Sequence, residues 1–400
     1  MRLQAYVPMA VQIVIDDVGW WSGKDDHETG GPYRTGMLRD HTIEDYRAII
    51  ELGQRLSIRP QAAMIIGEWD RTNVLRRIPS ATPQGEAWDN RRWVGPWLDE
   101  AAELFRRHDE FIELTLHGLY HEYWQDGQPT RAEWFDPNGR MRPESDVRAH
   151  LDAFAEILEQ NGLGPLPRSF VPPAYRYRFR SEEGFADILA EYGIRYLTTV
   201  FNRKDANHSK LVSPWFGFDS SLIAVEWGAA LGDTGRSVLP WYTANPQVSK
   251  VKSAEGPVLG LHWPNLLHLD PARNGEVIEQ WVAYLRQFEH RPDRMLARNT
   301  EEGYAQLMYY TGTDVTVAEN VIHLDFTRLD SWSVQPESNA FTLKMVADRP
   351  PLLEASDGSL TIAAPSPDKT EAHGVYSFAI ERRLNEGERA PRSTLTVRLQ

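Results

Sequence analysis

The chain has 400 residues, 43 Lys and Arg against 57 Asp and Glu, a net charge of −14, and 41% hydrophobic residues. An acidic chain without a basic tract excludes a nucleic-acid backbone as partner, and the absence of cysteine excludes disulfides and thiolate-bound metal. No run approaches the roughly 20 apolar residues of a membrane span.

Residues 1–8 lack the basic region and apolar core of a leader peptide, so the expected location is cytoplasmic, or extracellular or periplasmic if a leader was removed. Oligomeric state is not legible.

Val11-Gln12-Ile13-Val14-Ile15 reads as a buried strand closed by Asp16-Asp17. Residues 18–40 carry Gly, Asp and Pro without periodicity and read as a loop. Thr42 to Leu56 reads as a helix capped by Thr42, with Asp45 three residues on. A strand over Gln61–Ile66, a loop over 67–95, a helix over Trp97–His108 and a strand over Phe111–Leu116 follow.

The alternation then repeats. Helices are expected over Glu144–Gln160, Ser181–Tyr192 and Asn274–Phe288. Strands are expected over Ser169–Val171, Arg195–Val200, 222–227 and 257–262. Strands spaced by helices of this length predict an α/β fold with a parallel sheet, whose functional loops lie at the C-terminal strand ends. Beyond about residue 312 the texture changes to short alternating or apolar runs separated by Gly, Pro, Asp and Asn. The expected organisation is a (β/α) unit over 1–312 and a small β-sandwich-like accessory domain over 313–400.

Two adjacent carboxylates at the end of a buried strand call for a counter-ion or a retained proton. If the strand continues, Asp16 and Asp17 point to opposite sides, one toward a metal and one toward a water. His117 ends the Phe111–Leu116 strand and His121 follows at i, i+4, a spacing that lets both imidazoles reach one ion. Two imidazoles and a carboxylate suit zinc or another divalent metal such as cobalt, nickel or manganese. The bland alternatives are an acidic turn for the aspartates and two hydrogen-bonded histidines for the pair. His262 ends the Val258–Leu261 run, where an imidazole can donate a proton near neutral pH or simply pack. Trp20, Trp21, Glu68, Trp124 and Trp263 sit beside turn residues and charges, where aromatic faces can stack on sugars.

These motifs resemble the polysaccharide deacetylase superfamily, also called NodB-homology or carbohydrate esterase family 4 domains. The resemblance covers about residues 8–290. Ile15-Asp16-Asp17-Val18-Gly19 matches the acidic first motif and His117-Gly118-Leu119-Tyr120-His121 the histidine motif, with Gly118 where Ser or Thr is usual. Arg168-Ser169-Phe170-Val171-Pro172-Pro173-Ala174-Tyr175 matches the third motif loosely, with Val171 where an arginine is expected, and Leu261-His262 matches the last. Asp219 or Glu226 are candidates for the fourth motif.

The resemblance implies a distorted (β/α) barrel and a metal-dependent deacetylase acting on an N- or O-acetylated carbohydrate. Asp16 would be the base, Asp17, His117 and His121 the metal ligands, and His262 the acid. Pro173 and Tyr175 would lie beside the substrate, with a backbone N–H near Tyr175 serving the oxyanion. The alternatives are another metal-dependent hydrolase on the same fold and a non-catalytic carbohydrate-binding protein.

Overall fold

The computed structural model describes residues 3–179, 184–201, 211–227, 239–251, 255–356, 358–363, 374–385, 388–389 and 391–399. It divides into two compact units, Ile13–Val282 and Met1–Gln12 with Ala283–Gln400. The fold is mixed α/β, with one large, mostly parallel sheet and separate, smaller all-β sheets.

In chain order the strands of the first part are β1 (Gln4–Tyr6), β2 (Met9–Val18), β3 (Gln61–Ile65), β4 (Glu113–Gly118), β5 (Glu122–Gln125), β6 (Gln128–Arg131), β7 (Ser169–Phe170), β8 (Tyr196–Thr199), β9 (Phe216–Asp219), β10 (Leu222–Glu226) and β11 (Val258–His262). The helices are α1 (Ile43–Leu56), α2 (Pro96–Arg107), α3 (Glu144–Gln160), α4 (Phe185–Glu191), α5 (Asn274–Leu285) and α6 (Thr300–Gly312).

The large sheet runs β11-β2-β3-β4-β7-β8-β10-β9. Pairing is parallel from β2 through β10, and β9 adds an antiparallel edge. Parallel strands buried on both faces need apolar side chains throughout; every residue of β2 is buried, as is every residue of β3. Among the described residues the path stays open, since β9 and β11 do not pair.

The expected strands and helices appear with small boundary shifts. Of the expected Ser181–Tyr192 helix, α4 covers Phe185–Glu191, and residues 181–183 lie outside the described residues. The 67–95 stretch is a chain of short 3-10 turns organised by Asp70, whose carboxylate accepts from the Val74 and Leu75 amides at 2.9 and 3.1 Å and from Trp88 Nε1 at 3.0 Å.

The other unit holds two antiparallel four-stranded sheets. With β12 (Arg294–Leu296), β13 (Asp314–Ala318), β14 (Val321–Asp325), β15 (Ala340–Val346), β16 (Pro351–Ala355), β17 (Leu360–Ile362), β18 (Val375–Arg382), β19 (Leu384–Asn385), β20 (Glu388–Arg389) and β21 (Arg392–Leu399), the sheet orders are β1-β15-β18-β17 and β13-β14-β21-β16. Gln306 of α6 binds this unit's segments together: its Nε2 donates to Pro8 O at 2.9 Å and Thr342 O at 3.1 Å, and its Oε1 accepts from Thr342 N at 2.7 Å.

Candidate metal centre

The aspartate pair lies where β2 breaks its register with β3, between Ile15 and Val18. Asp17 takes a left-handed backbone, φ 62°. A bulge of this kind re-aims side chains. The opposite orientation expected from strict alternation therefore does not hold, and both carboxylates converge on one histidine. His117 Nε2 lies 3.1 Å from Asp16 Oδ1 and 3.6 Å from Asp17 Oδ1.

His117 sits near the end of β4, and a tight turn brings His121 back with φ 65°. Its Nε2 lies 3.9 Å from Asp17 Oδ1. Ligand atoms of Asp17, His117 and His121, all buried, lie within 4.8 Å of one another. Ligands about 2.0–2.1 Å from a tetrahedral zinc ion stand about 3.3–3.4 Å apart, so a small inward movement closes the set.

The second ring nitrogens fix the tautomers. His117 Nδ1–H donates to Val171 O at 2.6 Å, and His121 Nδ1–H donates to Glu122 Oε1 at 2.8 Å. With each Nδ1 committed, both Nε2 atoms face the centre, the arrangement of metal-binding histidines. His117 Nε2 is fully buried and faces the Asp16 and Asp17 carboxylates, and an ion at this position would satisfy all three. The donor set fits a divalent metal.

Electrostatics separate the two acids. Burial raises the Asp16 pKa, against the charges of His117 and His262 that lower it. Burial also pushes Asp17 up, but hydrogen bonding from His117 and the charges of His121 and His262 outweigh it and hold Asp17 well below the usual range. Burial pushes His117 down, but Asp16 and Asp17 bring it up to about 9; burial holds His121 well below its ordinary value. His262 Nε2 stands 3.8 Å from Asp16 Oδ2 and 4.0 Å from Asp17 Oδ2. Asp16 thus lies between His117 and His262.

Gly118 has a packing reason. A Cβ there would meet Glu133 Oε2 at 2.1 Å. The Glu133 carboxylate occupies that space and accepts from Leu119 N at 2.8 Å and His150 Nδ1 at 2.8 Å, while His150 Nε2 pairs with Ser80 Oγ at 2.9 Å. Residues distant in sequence thus brace the turn between the two histidines. Glu133 was not legible as part of the site, because nothing in its local pattern marks it.

The remaining candidates fall in different places. Tyr175, φ 52°, lies tilted against Trp227 with ring centroids 4.7 Å apart. Its amide donates to Pro172 O at 2.9 Å, so this N–H is committed to a turn rather than offered to an oxyanion. Pro173 is buried in the same turn. Trp21 is half-buried and stacks on Trp97 at 4.4 Å. Trp20, Trp124 and Trp263 are buried, which leaves no ring face open to a sugar; Trp263 stacks on His41 at 3.8 Å. Glu68 is also buried: it accepts from Trp21 N at 2.6 Å and Ser22 N at 3.2 Å and pairs with Arg34 at 3.3 Å, pinning the loop after β2. Asp219 accepts from the Tyr177 hydroxyl at 2.8 Å, and Glu226 from the Phe201 amide at 2.7 Å.

No family model matches this chain, and no curated protein matches it significantly. Among solved structures it is similar to a Mycobacterium smegmatis chain put forward as a polysaccharide deacetylase, at 14% identity over 60% of this chain and 70% of that one, TM-score 0.34. It is also similar to a Parabacteroides distasonis chain put forward as a glycoside hydrolase/deacetylase, at 12% identity over 86% of this chain and 80% of that one, TM-score 0.44.

Proposed function

We propose that the chain is a metal-dependent hydrolase of the NodB-homology type that removes acetyl groups from an N- or O-acetylated carbohydrate. One observation carries this reading: a carboxylate outside the ligand set, Asp16, lies beside Asp17, His117 and His121 and 3.8 Å from a further histidine, His262. A purely binding or structural ion site needs the ligands but not a base and an acid flanking them.

Asp17, His117 and His121 would hold zinc, or cobalt, nickel or manganese. Such an ion supplies Lewis acidity, which polarises the acyl carbonyl and lowers the pKa of water. Asp16 accepts the proton of the attacking water; its burial makes it a stronger base than an exposed aspartate. As the water oxygen bonds to the acyl carbon and the C–N or C–O bond breaks, His262 delivers a proton to the departing amine or alcohol. Acetate and the deacetylated sugar leave.

The test is acetate release from a panel of N- and O-acetylated oligosaccharides, before and after chelation and after zinc or cobalt is restored. The expected result is metal-dependent release that Asp16→Asn lowers about 10²–10⁴-fold while bound metal is retained. Release that survives chelation, or full turnover in Asp16→Asn, contradicts the reading. Metal binding without acetate release from any member favours another hydrolytic reaction or a carbohydrate-binding role.

A further inference from the structure

Arg131, at the end of β6, is exposed, and its guanidinium lies between two rings: 4.0 Å from the Tyr33 centroid and 6.0 Å from that of Trp241. These rings lead to the two sides of the metal centre. Tyr33 stands 6.5 Å from the His121 ring, and Trp241 stands 6.4 Å from the His262 ring. An arc therefore runs from a ligand histidine through Tyr33, Arg131 and Trp241 to the acid histidine.

The arc is anchored from below. Arg131 pairs across the hairpin with Glu122, the residue that holds His121 Nδ1 at 2.8 Å. Tyr33 is braced from its other side by the His27 ring at 4.2 Å, and His27 Nδ1 pairs with Asp25 at 2.6 Å. Among the described residues Arg131 has ring contacts but no carboxylate in ion-pair contact. Its N–H donors lie in the guanidinium plane and stay open to a planar anion, which they bind in bidentate fashion.

We propose that Arg131, clamped by Tyr33 and Trp241, is a specificity-determining subsite for a carboxylate on the substrate, so that the preferred substrate is an acidic carbohydrate bearing its acetyl group near a carboxylate. This rests on the hydrolase reading above and names the substrate class for that site. Asp25 and, before an ion binds, Asp17 disfavour an approaching anion, and Arg131 is an exposed cation set against them.

Binding separates this inference from the activity. The probe is an oligogalacturonate compared with its methyl ester, which has the same ring and no charge, titrated calorimetrically into the chelator-treated full chain so that no carboxylate can ligate metal. The acid form should bind about tenfold or more tightly than the ester, and Arg131→Gln should abolish the difference with an unchanged melting temperature. Arg131→Lys should keep part of it, because an ammonium attracts without the bidentate fit. Equal binding of acid and ester, binding of neither, or a preference that survives Arg131→Gln overturns the proposal. An acid preference in a chain that releases no acetate from any substrate leaves the subsite standing and refutes the deacetylase reading alone.

Discussion

Asp17, His121, Ala174 and Tyr175 all hold a left-handed backbone, and two of the four are candidate ligands. Each such residue costs of order 1 kcal/mol or more, and strain of this kind persists where the surroundings over-determine it. Here Glu122 and Glu133 supply that determination. Glu122→Ala frees the His121 ring and is expected to lower metal affinity about 10–100-fold, measured by competition with a chromogenic chelator. Gly118→Ser, a return to the more usual residue at that place, is expected to weaken metal binding as well, because its Cβ would displace Glu133 from Leu119; affinity equal to wild type would remove Glu133 from the account. The acids and histidines themselves were legible, since a carboxylate pair and an i, i+4 histidine pair at strand ends are local patterns. Their braces were not, because Glu133, His150 and Ser80 meet only through the fold.

At the scale of elements, the strands and helices of the large sheet followed from apolar runs and 3.6-residue periodicity. Three others are among those that did not. The β5–β6 hairpin is short, polar and partly exposed, so no apolar run announces it. The edge strand β9 carries only four residues. Helix α6 is buried on nearly all sides, which removes the amphipathic stripe that marks a surface helix. Helix α1 shows how a cap grows into a tie: Asp45 accepts from Thr42 N at 3.0 Å, from Arg39 at 2.6 and 2.9 Å and from Asn274 Nδ2 at 2.9 Å. Burial would raise its pKa, but hydrogen bonds from His41 and Arg39 outweigh that and hold it well below the usual range. Its contribution is therefore complete above the unfolded value near 4 and is lost as pH falls through the lower folded value. Asp45→Asn is expected to cost about 2–4 kcal/mol at pH 7 by urea denaturation, with the gap to wild type narrowing below pH 4.

At the scale of the whole molecule, the compact unit around the two small sheets takes in residues 1–12 and 283–312 as well as the C-terminal segment. The boundary at 312/313 stays a proposal about which segment folds alone. Within this unit Lys344, 3% exposed, points its ammonium at the carbonyls of Glu289, Arg291 and Arg294 at 2.9, 2.9 and 2.7 Å. Burial brings its pKa down to about 8, so it still carries its proton at pH 7 and can donate all three N–H groups. Lys344→Met would strip those carbonyls of their donor and is expected to destabilise the chain by about 2–4 kcal/mol, read as a lower denaturation midpoint with zinc affinity unchanged.

The central claim is that Asp17, His117 and His121 hold one divalent ion with Asp16 free beside it. A cobalt titration of the purified full chain, with bound metal counted by elemental analysis, tests it directly. The account predicts one tightly bound ion per chain in the wild type and in Asp16→Asn, and its loss in His117→Ala and His121→Ala. Stoichiometric binding that persists in both histidine variants, or that disappears in Asp16→Asn while they retain it, would contradict it.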